Sequence, residues 1–194
     1  MSATRTPFTG DAEADELLDH DGLALLIGML LDQQVPMEWA FRGPLELKHR
    51  LGGRLDPMEI AGMDPDKLRA VFSDRPALHR YPGSMAERVR LLSRHVVDQY
   101  GGRAERMWED VQTPQALFDR LRLLPGYGDQ KAKIFLSILG KRLGVAPAGW
   151  EELAGDYGKP GFRSIADVDG PGAVDKVREY KQSVKAQAKA AKKK

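Results

Sequence analysis

Residues 124–132, Leu124-Pro125-Gly126-Tyr127-Gly128-Asp129-Gln130-Lys131-Ala132, combine residue types suited to gripping a phosphate. A helical pattern of Leu117, Phe118, Leu121 and Leu124 runs into Pro125, which disfavours further helix just before it. Gly126 and Gly128 stand two apart, permitting a tight turn with positive φ and a backbone bare of side chains. A second apolar-periodic helix follows through Ala132, Phe135, Leu136 and Leu139. Such a corner leaves several backbone N–H groups pointing outward at a helix N-terminus, which suits a phosphate oxygen. The stretch reads as the hairpin of a helix-hairpin-helix element, with a DNA backbone as its natural ligand. An ordinary turn between two packed helices is the plainer alternative.

The elements that must hold this corner are helical. Asp11 opens a helix carrying Leu17 and Leu18, and Asp21 suits the N-cap of the next. That next helix is apolar almost all round, from Leu23 through Leu31, and so should be central and buried. It is expected to end near Gln34-Val35-Pro36. A helix with Trp39, Phe41, Leu45 and Leu47 follows, broken or kinked at Gly43-Pro44. Asp56-Pro57 and Asp64-Pro65 each set a capping residue before a first-turn proline. Residues 73–83 hold two prolines, Pro76 and Pro82, and read as turn; a longer helix then runs from Ser84 to about Tyr100 and stops at Gly101-Gly102. Thr113-Pro114 caps the helix leading into the hairpin, and the helix beyond it ends near Gly144. Strand-like alternation is scarce and no fixed-period repeat is present, so the chain reads as all-α. Residues 1–10 are expected to be a flexible lead-in, 11–172 a helical domain of two lobes with a cleft between them, and 173–194 a final helix fraying into a basic tail.

At 194 residues and 42% hydrophobic, the chain can bury a sizeable core. The formal net charge is only +2, but it is unevenly spread, with acidic residues early and lysine dominating residues 176–194. Cysteine is absent, which excludes disulfides, thiolate zinc sites and cysteine-bound iron–sulfur clusters. The four histidines (His20, His49, His79, His95) lack ligand-like spacing. No apolar run approaches the ~20 residues that span a bilayer, and the N-terminus lacks the apolar core of a signal peptide. A soluble, monomeric, cytoplasmic and nucleoid-associated protein without a membrane partner is expected.

A multi-helical lobe, then a Leu-Pro-Gly-x-Gly hairpin, then an irregular segment resembles the helix-hairpin-helix base-excision DNA glycosylases, the group of endonuclease III, MutY and the alkyladenine-type enzymes. The resemblance covers roughly residues 20–145. Leu30-Leu31-Asp32-Gln33-Gln34-Val35 is its second matching point, since family members carry a comparable apolar segment ending in Gln or Gln-Gln, followed by a loop that faces DNA. The resemblance implies double-stranded DNA as partner, contacts through Leu124, Gly126, Tyr127, Gly128, Gln130 and Lys131, and Gln33 and Gln34 beside the gap left by an extruded base. Exposed amides capping a helix end are the alternative for the two glutamines. It also implies a bound monovalent cation bridging hairpin and phosphate, and hydrolysis of a damaged base's N-glycosidic bond. Such enzymes take the base out of the stack and stabilise positive charge on the sugar with a carboxylate.

The family's catalytic positions do not map cleanly. Gln130 stands where bifunctional members carry a Schiff-base lysine; Lys131 is one step on, turned by ~100° on a helix, and is expected to face phosphate. The chain is therefore expected to be monofunctional. The family aspartate would fall around Ala148-Gly149-Trp150, where none stands. Glu151, Glu152, Asp156, Asp167 and Asp169 are the candidate carboxylates, each open to a plainer role as surface charge or helix cap. Trp150 suits a core anchor or a base-stacking platform. The basic tail either tracks phosphates or only solubilises, and Arg88, Arg90 and Arg94 read as the solvated side of their helix, with one of them able to reach the DNA. Two rivals stand beside the enzyme: a hairpin protein that binds DNA and has lost the chemistry, and a helical protein-interaction domain with no salt-dependent DNA affinity.

Overall fold

Asp11, Asp21, Asp56, Asp64 and Thr113 each start a helix in the same way, a side-chain oxygen accepting backbone N–H groups of the first turn. In the computed structural model, which describes residues 5–191, these caps open α1 (Ala12–His20), α2 (Gly22–Leu31), α4 (Pro57–Gly62), α5 (Pro65–Ser73) and α8 (Pro114–Arg122). Between and after them lie α3 (Met37–Arg50), α6 (Pro82–Tyr100), α7 (Arg106–Glu109), α9 (Asp129–Arg142), α10 (Trp150–Ala154) and α11 (Ala173–Ala191). Two single turns of 3₁₀ helix, Gly155–Tyr157 and Ile165–Asp167, complete the regular structure. Among the described residues there is no strand, and the fold is all-α.

Every residue of α2 is buried, as its all-round apolar sequence requires. It packs on α1, α3, α6 and α9. Helices α4 and α5 lie on α6, whereas α8, α10 and the Ile165–Asp167 turn gather on α9. The two groups share one continuous apolar core. Close approach of α3 to α2 depends on missing side chains: a Cβ on Gly28 would meet the Phe41 ring at 2.7 Å, and one on Gly43 would meet Leu31 Cδ1 at 2.6 Å.

Four local expectations are corrected. Residues 5–10 are not a loose lead-in. Phe8 is fully buried, edge-on to Phe41 with ring centroids 5.3 Å apart, and the N–H groups of Phe8 and Thr9 donate to the Asp15 carboxylate. Residues 1–4 of that segment lie outside the described residues. Gly43-Pro44 does not break α3, which runs through Pro44 because the flanking face is packed against α2. Helix α2 ends at Leu31, with Asp32 as its C-cap, ahead of the glutamines. Helix α11 does not fray at Lys185 but continues to Ala191, in keeping with the helix preference of Ala, Lys and Gln; residues 192–194 lie outside the described residues. No helix among the described residues is long and apolar enough to cross a membrane.

Candidate nucleic-acid interface

The hairpin corner turns on one glycine. Gly126 has φ +82°, while Gly128 is extended (φ −103°, ψ −177°) and serves as the N-cap of α9. Both are exposed, and among the described residues neither N–H has a hydrogen-bond partner. No side chain caps α9, so its first-turn amides also lack a capping oxygen. A Cβ on Gly128 would meet nothing within 4 Å, whereas one on Gly126 would run into Leu30 Cδ1 of α2. Side chains of the corner anchor it inward: Leu124 and Tyr127 are buried, and Tyr127 Oη donates to Leu26 O at 2.8 Å. Burial pushes the Tyr127 phenol well above its usual range. Of these two residues only the backbone can meet a ligand.

The segment after α2 lines the same cleft as the corner. His79 accepts the Tyr81 N–H at Nδ1 (3.0 Å), so the Nε2 proton lies between the carbonyls of Leu31 (3.1 Å) and Gln33 (3.0 Å). That fully used ring, held below its usual pKa mainly by burial, fastens the end of α2 to the loop before α6. Gln33 Oε1 accepts from Arg88 Nη1 at 2.8 Å, and exposed Gln34 Oε1 accepts from Tyr81 Oη at 3.0 Å. Gln34 is held at φ +58°, a left-handed conformation unusual for a residue with a side chain. Arg88 is thus not on the solvated face assigned to it with Arg90 and Arg94. Arg90 pairs with Glu87, and Arg94 reaches Ala61 O.

Hairpin and glutamine segment line one cleft of about 780 Å³. Gly126, Gly128, Gln130 and Lys131 contribute to it, as do Gln33, Gln34, Arg88 and Lys181 of α11. Lys131, expected to face phosphate, reaches the end of α2 with its side chain. Its ammonium donates to Met29 O (2.6 Å) and Leu30 O (2.7 Å), because the last turn of α2 presents carbonyls with no intrahelical partner just where the side chain arrives. Burial lowers its pKa to about 8, opposed by the Asp32 charge. Gln130 donates instead to Tyr157 Oη at 2.9 Å, at the border of an adjoining groove of about 600 Å³ lined by Lys133, Arg163, Lys181 and Lys185.

None of the five candidate carboxylates lines the cleft. Glu151 and Glu152 are exposed in the first turn of α10, and Asp169 is exposed in the following loop. Asp156 borders the adjoining groove and pairs with Lys159 at 2.6 Å, an ion pair that holds its carboxyl below the usual range. Asp167 closes a capping box with Ser164 and meets Lys141 at 2.5 Å, which makes it a structural tie. Trp150 is buried, packed where a Cβ on Gly140 would touch its ring, and is a core anchor.

The carboxylate that lines the cleft is Asp32. It is half-buried, and among the described residues its carboxylate makes no hydrogen bond or ion pair. Burial raises its pKa, against the pull of Lys181 and then Lys131, while Glu38 reinforces the rise. Asp32 stands one residue before the glutamine pair, so its signal was in the quoted motif; nothing in the spacing distinguished it from an ordinary C-cap. Among the described residues no cluster of His, Cys, Asp or Glu is arranged to hold a metal ion. Comparison with protein-family models, with curated proteins and with solved structures returns no match.

Proposed function

We propose that this chain is a base-excision DNA repair protein of the helix-hairpin-helix glycosylase type, which binds duplex DNA and hydrolyses the N-glycosidic bond of a damaged base. One observation carries the proposal. The exposed glycine amides at the start of α9 and the Gln33–Gln34 segment line a single cleft that holds three cationic side chains and one carboxylate. Amides at a helix N-terminus suit a phosphate, while glutamine amides in the same cleft suit the gap that an extruded nucleotide leaves in the duplex. Arg88, Lys131 and Lys181 supply a positive field for the strand. A monovalent cation at the corner belongs to the same proposal, as does action as a monomer.

The direct test is a panel of duplex oligonucleotides, each with one damaged base, assayed for base release by the full chain. Release from at least one lesion supports the enzyme. Salt-dependent binding without release on any lesion supports the rival, a hairpin protein without chemistry, which the position of all five candidate carboxylates outside the cleft favours. Absence of any salt-dependent affinity defeats both.

A further inference from the structure

We propose that Asp32 is the catalytic carboxylate of this cleft, placed to hold the positive charge that develops on a deoxyribose ring as its base departs, a role that rests on the duplex-DNA reading above. Its isolation is the first ground. Five other aspartates are committed to structure: Asp11, Asp21, Asp56 and Asp64 cap helices, and Asp167 ties Lys141. Asp32 lines the cleft with no such partner among the described residues. A half-buried carboxylate with no hydrogen-bonded partner is costly, and a cationic ligand in direct contact offsets that cost.

The surroundings are the second ground. Four elements bring charged groups toward Asp32: Lys131 from α9, Lys181 from α11, Glu38 from α3 and, through Lys131, Arg88 from α6. Each already has a partner. Lys131 is held by two carbonyls, Arg88 by Gln33, Lys181 by Met37 Sδ at 3.2 Å, and Glu38 by Arg178. Asp32 is also the C-cap of α2, so the negative end of the helix dipole adds to its own charge. An oxocarbenium-like sugar seated against Asp32 would meet both.

The chemistry balances with water as the only co-reactant. As the bond from the sugar C1′ to the base nitrogen breaks, its electron pair stays on the base and the water oxygen bonds C1′. Asp32 accepts the proton that water releases and passes it through solvent to the departed base nitrogen, which restores the carboxylate.

Binding measurements test this without requiring turnover. Two duplexes are compared, one carrying a pyrrolidine abasic-site analogue, which is cationic at neutral pH, the other a neutral tetrahydrofuran analogue. Wild-type full-length protein should prefer the cationic duplex by about tenfold or more, as complementarity to a charged transition state requires. Asp32→Asn should bring that ratio near one, by weakening the cationic duplex relative to the neutral one. A measurement on wild type alone covers the case of a variant that does not fold: the preference should shrink as pH falls through the raised Asp32 pKa, while the pyrrolidine stays charged. A wild-type ratio near one, or a preference that survives in Asp32→Asn, overturns the assignment and leaves duplex binding standing. Folded wild type with no affinity for either duplex overturns the duplex reading, and the Asp32 role with it.

Discussion

Tyr127 Oη donates to Leu26 O across 101 positions of sequence, at 2.8 Å, and so bolts the hairpin corner to the central helix. The bond is buried and its acceptor lies in the middle of α2. Tyr127→Phe should therefore lower stability by about 1 kcal/mol, the net worth of one neutral hydrogen bond. Denaturant unfolding checks the loss, and an unchanged midpoint would show the bond to be immaterial.

The two corner glycines should behave differently. Gly126→Ala places a side chain at φ +82° and drives it into Leu30, so about 2 kcal/mol or more of stability should be lost. Gly128→Ala has an accessible backbone conformation and open space around its Cβ, so its stability should stay within about 0.5 kcal/mol of wild type. A methyl there nevertheless covers the exposed amides, and duplex affinity should fall. Thermal melts beside fluorescence-anisotropy titrations separate the two effects; equal behaviour of the two variants would contradict the geometry.

Lys131 should titrate near pH 8 in the folded chain, against 10.5 for an unperturbed lysine. Carbon NMR of Cε-labelled lysines reads the midpoint directly. Between those two values the unfolded chain keeps the proton that the folded chain has shed, so the contribution of this group to stability rises with pH across the window. Lys131→Met should remove that rise. A folded-state midpoint above 10 would show that burial does not act on this ammonium.

The groove beside the cleft carries Lys133 and Lys185, so a bound strand should extend past the hairpin toward α11. Lys185→Gln should weaken duplex binding similarly for all sequences and reduce the slope of log affinity against log salt by about one. Binding isotherms at four salt concentrations are sufficient, and an unchanged slope would place the strand elsewhere.

Caps and corner were legible because each is decided within one helical turn. Asp21, Asp56, Asp64 and Thr113 bond to N–H groups two or three residues on, and Gly126 is needed wherever the chain must turn left-handed. Burial of α2 was equally readable, since ten residues with no polar face leave it no solvent side. By contrast, Phe8 stood in a stretch that local rules read as loose, and only Phe41 of α3 gives it a place. Helical phase set Lys131 toward phosphate; that the free carbonyls of Met29 and Leu30, about a hundred residues earlier in the chain, hold its ammonium is decided only by the packing of α9 on α2.

From its residues alone the chain determined an all-α fold, the ends of most helices and an exposed glycine corner, because those follow from contacts a few residues long. Tertiary structure decided which charges meet. Asp32, Arg88, Lys131 and Lys181 lie on or beside four helices far apart in sequence, and only the packing of α6, α9 and α11 around the end of α2 gathers them. Carboxylates all look alike in one dimension; burial and the loss of competing partners, which separate Asp32 from the five downstream, are properties of the folded surface.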